Sequence, residues 1–251
     1  MHRFYLPPEE CRGGLLTLTD REAHHATRVL RLRRGDSVVV LDGAGKTFHS
    51  EVADVSRDAM TLSVKRVEES PAPPCAITLV QAIPKGKILD SIIQKATELG
   101  VSRVVPLLSE RVITQIDEGN AESKTEHWQM VAIEAIKQCG SPWLPKIEPA
   151  MKPKDLLARC EMFDLWIVAS LQPGSRHPGE WFREFREREH RNPKSACVWV
   201  GPEGDFTSDE IARVIEAGAK PITLGRLVLR CETAATYSLS ILNYETQSRE
   251  T

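Results

Sequence analysis

Residues 196–211 read ACVWVGPEGDFTSDEI, and this stretch decides the fold class. Ala196–Val200 is a short, wholly apolar run, the pattern of a strand covered on both faces. Gly201-Pro-Glu-Gly204 follows, a loop in which the strand cannot continue. Thr207 or Ser208 then caps a helix expected over Ser208–Ala217, with Asp209 and Glu210 placing negative charge at its amino end. Strand, glycine-bearing loop and helix in immediate succession form the βα unit of an α/β domain. The loop of such a unit lies at the carboxyl end of its strand, where open α/β sheets bind ligands.

The same alternation runs outward in both directions. Strands are expected at Ala76–Ile83, Arg103–Leu107, Leu165–Ala169 and Pro221–Leu224. Helices are expected at Ile88–Leu99, Lys124–Cys139, Pro153–Cys160, Pro178–His190 and Glu232–Gln247. The reading is a parallel sheet flanked by helices. Residues 1–70 follow a different rule. Ser37–Leu41, Lys46–Val52 and Met60–Val67 read as strands, the first two joined by the turn Asp42–Gly45. One short helix is expected over Asp20–Leu30, with Thr19 and Glu22 at capping-box spacing. Between the two regions, Glu69-Ser-Pro-Ala-Pro-Pro74 carries three prolines, a stiff linker. The expected organisation is therefore a β domain over 1–70, a linker over 71–75 and an α/β domain over 76–251.

Composition excludes more than it assigns. The net charge is -2, so a nucleic-acid partner has to be read from local charge. Six cysteines show neither CxxC pairing nor metal-ligand spacing to a histidine, which points to buried, reduced thiols and no metal. No run approaches the ~20 apolar residues of a membrane helix. The opening MHRFYLPPEE lacks the apolar core of a signal peptide, so a cytoplasmic location without membrane attachment is expected. The fingerprints GxGxxG, GxxxxGK[ST] and GxSxG are absent from the α/β region. His49 and His127 stand alone and His24–His25 are adjacent, a structural pattern. The stretch REFREREHR at 183–191 alternates charge sign and reads as a solvated helix face.

Three constellations can carry chemistry. The first is Gly201–Gly204. The second is Leu224-Gly-Arg-Leu-Val-Leu-Arg-Cys-Glu-Thr-Ala234, another strand end running into a glycine, with Arg230 and Glu232 flanking the start of the last helix. The third is a basic cluster, Arg21, Arg28, Arg31, Arg33 and Arg34, suited to phosphates because each guanidinium donates two parallel hydrogen bonds. Pro84-Lys-Gly-Lys87, the i,i+3 pair Lys95 and Glu98, and Ser109-Glu-Arg111 add further charge near expected strand ends.

Taken together and in order, GPEGDFTSDEI and LGRLVLRCETAA resemble the hallmark pair of the knotted SPOUT methyltransferases. The specific resemblance is to the RsmE family, which methylates N3 of a uridine in 16S (small-subunit) ribosomal RNA. The opening RFY, HHATRVLRLRRGDSVVVLDGAGK, IIQKATELGVSRVVPLLSER and IEAIKQCGSPWLP resemble its other blocks, so the likeness spans nearly all of 1–245. It implies a C-terminal trefoil knot, a PUA-like β-barrel at the N-terminus, and a homodimer acting on 16S ribosomal RNA or the small subunit. It implies S-adenosylmethionine held by Leu171, Gly201, Pro202, Glu203, Gly204, Leu224, Gly225, Leu227, Leu229 and Arg230. The implied catalytic set is Arg230, Glu232, Glu203 and Arg3, with Glu98 a weaker candidate base. RNA contacts are expected from Arg3, His25, Arg28, Arg31, Arg33, Arg34, Lys85, Lys95 and Arg111. Two departures stand out. Asp205 replaces the last glycine of the family's GPEGG, and Lys137-Gln-Cys-Gly-Ser141 replaces an EQSGR or EQCGR run, a change that bears on RNA docking. Two other classes fit parts of this pattern: a non-catalytic RNA-binding assembly factor of the same fold, and an unrelated nucleotide-dependent α/β transferase.

Overall fold

A computed structural model describes residues 1–112 and 118–246. It divides into two compact units, Met1–Ala72 with Ile133–Leu144, and Pro73–Ala132 with Pro145 onward.

In the first unit, strands β1 (His2–Tyr5), β2 (Leu15–Thr19), β3 (Ser37–Leu41), β4 (Lys46–Val55) and β5 (Ala59–Glu69) form one sheet in the order β1-β3-β4-β5-β2. The β1–β3 pair is parallel and the others antiparallel. Register shifts at His49/Ser50 and Val52/Asp54 mark irregularities that bend the long β4–β5 ladder. Among the described residues no ladder joins β1 to β2, so the sheet of the expected barrel keeps two open edges, β1 and β2. The continuous apolar run of β3 is explained by two packed faces. Val38 and Val40 join Phe4, Leu16, Leu18, Phe48, Met60 and Leu62 in the main core, while Val39 and Leu41 pack on Ile136. Asp42 Oδ1 accepts from the amides of Ala44 (2.8 Å) and Lys46 (2.9 Å), which shapes the β3–β4 turn.

The expected helix over Asp20–Leu30 is α1 (Asp20–His24) continuing into a π-helical turn over His25–Val29. Its capping box does not form, and Thr19 makes no side-chain cap. The Glu22 carboxylate instead accepts from Lys137 Nζ at 2.7 Å. A buried ammonium is a stronger partner than a backbone amide, so the tertiary contact wins.

The second unit carries β6 (Ala76–Ala82), α2 (Ile88–Glu98), β7 (Arg103–Leu107), the first part of α3 (Glu118–Cys139), β8 (Lys146–Ile147) and α4 (Pro153–Leu157). There follow β9 (Leu165–Ala169), α5 (Pro178–Glu189), β10 (Ser195–Val200), α6 (Ser208–Glu216), β11 (Lys220–Ile222) and α7 (Cys231–Thr246). The expected helix end at Gln247 lies outside the described residues. The sheet order is β11-β9-β10-β6-β7-β8, parallel throughout. Thr207 caps α6 with a complete capping box to Glu210.

Three expectations are corrected. The helix expected to reach Cys160 stops at Leu157, and Cys160 takes a left-handed φ of 50°. All six thiols are free as expected, but Cys139 and Cys160 are exposed, the first as the last residue of α3 and the second in the loop after α4. The 183–191 stretch is not simply solvated. Arg186 donates to the Glu245 carboxylate and carbonyl at 2.7 Å, and Arg191 grips Asp164 with both terminal nitrogens.

Candidate active site

Because β9 lies between β10 and β11 in the sheet, the loops leaving their carboxyl ends are neighbours. Residues 170–175, 201–205 and 223–229, with the first turn of α7, enclose a cleft of about 480 Å³. That volume is in the range of small-molecule sites, roughly 300–1,000 Å³. Eight expected cofactor residues line it: Leu171, Gly201, Pro202 and Glu203 on one side, and Leu224, Gly225, Leu227 and Leu229 on the other. Gly204, Arg230 and Glu232 do not line it, although each is within two residues of one that does. Leu171, Leu227 and Val228 expose 63%, 77% and 77% of their surface, so apolar side chains are presented to solvent at the cleft rather than packed in the core.

Each loop has a local cause. The 201–206 loop is pinned at its far end by Phe206, which is buried against Trp199 in β10. A Cβ on Gly201 would stand 2.9 Å from Asp205 Oδ1 and 3.1 Å from the Phe206 amide. The loop itself therefore requires a glycine at 201, in addition to any demand a ligand makes on this cleft-lining residue. Asp205 adopts a left-handed φ of 60°. Its Oδ1 accepts from the Phe206 amide at 2.8 Å, and its Oδ2 accepts from the Leu171 amide at 3.4 Å, which ties two walls of the cleft together. Gly225 has φ 114° with open space where a Cβ would be, so the demand there is conformational.

Two more loops brace this one. The Lys85 amide donates to Glu203 Oε1 at 3.0 Å, and Arg111 Nη1 donates to the Gly204 carbonyl at 2.5 Å. Two expected RNA ligands thus meet the 201–206 loop. Lys95 and Glu98 are exposed and form no ion pair among the described residues, so the anticipated i,i+3 bridge is absent. Arg230 is exposed and Glu232 partly so, and no salt bridge joins them. The Cys231 thiol is pushed up to about 11, first by burial and then by the negative charges of Glu203, Glu232 and Asp205. Two carboxylates, Glu203 and Asp205, and one guanidinium, Arg226, line the cleft. Among the described residues no cluster of His, Cys, Asp and Glu is placed to hold a metal ion, and no helix is long and apolar enough to cross a membrane.

In the first unit, Arg28, Arg31, Arg33 and Arg34 are exposed and make no ion pair among the described residues. Arg21 is different, bridging to Glu134 at 3.1 Å. His25 stacks edge-on against Phe4, a packing role. Arg3 donates to the carbonyls of Lys137 (3.2 Å) and Gln138 (3.0 Å), capping the carboxyl end of α3.

The family model of the RNA methyltransferase domain matches residues 71–243, and that of the RNA methyltransferase PUA domain matches residues 18–65. The Ribosomal RNA small subunit methyltransferase E of Synechocystis is 32% identical over 96% of this chain and 77% of its own length. The protein of that name from Bacillus subtilis is 31% identical over 92% of this chain and 90% of its own. The chain belongs to the ribosomal RNA small subunit methyltransferase E family. A solved family structure, from Neisseria gonorrhoeae and bound to S-adenosyl methionine, superposes with a TM-score of 0.85 at 27% identity, covering 97% of each chain. A Legionella pneumophila structure in complex with bound SAM gives 0.85 at 30% identity, covering 96% of each.

Within this methyltransferase family member, sequence reasoning missed two groups of residues. Ser170, Gln172 and Ser175 line the cleft beside Leu171, and the available signal was the polar stretch directly after the apolar run Leu165–Ala169. Glu22 and Glu134 are the partners of Lys137; the i,i+3 spacing of Glu134 was a local signal not used, whereas Glu22, 115 positions away, carries none for this contact.

Proposed function

We propose that this protein transfers the methyl group of S-adenosylmethionine to N3 of a uridine in 16S ribosomal RNA. The observation that carries the reading is the three-loop cleft at the carboxyl ends of β9, β10 and β11, in a chain of this family. The cleft fits the cofactor by volume and by chemistry. Backbone of 201–203 and 223–229 is available to a nucleoside, Leu171, Leu227 and Leu229 offer apolar contact, and Glu203 and Asp205 suit a cation. Bound there, the cofactor supplies an electrophilic methyl group together with its own leaving group.

The chain's own residues have three tasks. The first is to hold the base, since positioning is a large part of the catalytic effect. The second is to remove the N3 proton. Glu203 is better placed than Glu232 because it lines the cleft, and one of its oxygens is already oriented by the Lys85 amide. The third is to offset negative charge on the uracil oxygens, which is assigned to Arg230. Arg3 donates to two carbonyls at the end of α3 and is given no part in that step in this reading.

The fine topology belongs to the same reading. A trefoil knot is part of it, and the residues between β11 and α7 that it would involve include 223–229, which line the cleft. A homodimer, a PUA-like RNA-binding region over 1–70, a linker over 71–75, a methyltransferase domain over 76–251 and a cytoplasmic location complete the proposal. Nucleoside mass spectrometry of ribosomal RNA from a strain lacking the protein is the direct test. The expected result is loss of one N3-methyluridine, and an unchanged nucleoside profile would refute the reading.

Two variants test the parts. Gly225→Val is expected to weaken cofactor binding by roughly ten- to a hundredfold, because a β-branched residue at φ 114° carries about 1–3 kcal/mol of strain or moves the loop. Wild-type affinity in a folded Gly225→Val protein would remove this loop from the cofactor site. For RNA, the double variant Arg31→Ala/Arg34→Ala is expected to flatten the salt dependence of binding by about 0.7–0.9 in log–log slope per lost phosphate contact. Cofactor affinity should stay constant. An unaltered slope would make the arginines a solvated surface.

A further inference from the structure

The charged side chains lining the cleft are Glu203, Asp205 and Arg226. Two carboxylates against one guanidinium leave the lining at a net charge of -1, which the loss of Asp205 would bring to zero. Asp205 is also an outlier in conformation. Its φ of 60° is one that glycine adopts at no cost and an L-residue adopts reluctantly. A carboxylate is thus held at the cleft wall in a backbone position that a glycine would fill more easily. Strain of this kind persists where the surrounding structure over-determines it, and it concentrates at functional sites. Here the over-determination is visible in the two hydrogen bonds to the Phe206 and Leu171 amides.

We infer that Asp205 is a selectivity residue, whose carboxylate makes the cleft favour the cationic methyl donor over the demethylated product. The inference rests on the assignment of this cleft to S-adenosylmethionine. The donor carries an ammonium, a carboxylate and a sulfonium, for a net charge of +1. S-adenosylhomocysteine keeps the first two and lacks the third, so its net charge is zero. A fixed negative charge therefore attracts the donor and is nearly indifferent to the product. Product release and recharging of the site follow from that difference. Asp205 acts on binding and touches none of the atoms transferred.

The test is calorimetry on the full chain with each ligand, for wild type, Asp205→Asn and Asp205→Gly. Asparagine keeps the size, an acceptor oxygen and tolerance of the left-handed region while removing the charge. Glycine removes the side chain and relieves the backbone, so at least one folded variant is secured. The expected result is that the preference for donor over product falls about three- to tenfold in both variants, as suits one unit charge at a half-exposed site. The change should lie in donor affinity, with product affinity nearly constant. Equal weakening of both ligands would show that Asp205 only ties the two loops together, and overturn the inference. Unchanged affinities would overturn it as well. A wild-type chain that binds neither ligand would overturn the cleft assignment itself, and the inference with it.

Discussion

Arg230→Ala is expected to lower the rate of methyl transfer by about 10²–10³, the loss seen when one well-organised donor to a developing oxyanion is removed. The side chain is exposed and makes no ion pair among the described residues, so no stabilising contact is lost with it. Its backbone carbonyl accepts from the Ala234 amide at 2.8 Å to begin α7, and alanine preserves that bond. Arg230 does not line the cleft, so cofactor affinity should move little. Single-turnover methylation of ribosomal RNA, paired with calorimetry on the cofactor, separates the two effects. A near-normal rate would take Arg230 out of the chemistry. A loss confined to cofactor affinity would reassign it to binding.

Lys137→Ala is expected to destabilise the N-terminal unit by about 3–5 kcal/mol, the cost of breaking a buried ion pair by removing one partner. The Lys137 side chain is 7% exposed and reaches Glu22 at 2.7 Å and Glu134 at 3.2 Å. Glu22 is 14% exposed, and its second oxygen already lacks a partner. Deleting the ammonium leaves that carboxylate buried and uncompensated. The double variant Lys137→Met/Glu22→Gln removes both charges and should recover most of the loss, since a buried pair is dispensable when replaced as a whole. Denaturant unfolding of the three proteins measures this directly. A loss below about 1 kcal/mol for Lys137→Ala would place the pair in the weak surface class. The lysine is matched to Glu22 and Glu134 in its own chain. The pair also anchors α1, which leads into the stretch bearing Arg28, Arg31, Arg33 and Arg34. Loss of Lys137 is therefore expected to loosen the support of the arginine patch.

Elements with a local signature were legible. Arg103–Leu107 and Leu165–Ala169 are short apolar runs with clear ends, and the strands have those bounds. Thr207 and Glu210 stand three residues apart and form their capping box. The strands β1, β2 and β8 were not legible. β1 and β8 have four and two residues, too few for a period to show, the five-residue β2 opens on an exposed leucine that interrupts its alternation, and all three are paired by a neighbouring strand. The site divides in the same way. Glycines after strand ends marked two walls of the cleft, because a ligand-binding loop follows its strand directly. That β9 stands between β10 and β11, and so brings a third wall with Ser170 and Gln172, depends on strand order.

By itself, then, the sequence determined the α/β class, the β region before the prolines, the cap of α6 and the two glycine loops. Each of these depends on residues a few positions apart, where backbone geometry and short side chains decide the outcome. Tertiary structure alone decided that Glu22 abandons Thr19 for Lys137, 115 positions away, and that Gly201 makes room for Asp205 and Phe206. Such choices turn on which partner is nearest once water is excluded. Burial strengthens a charge–charge contact and penalises an unmet one, and burial is a property of the folded chain.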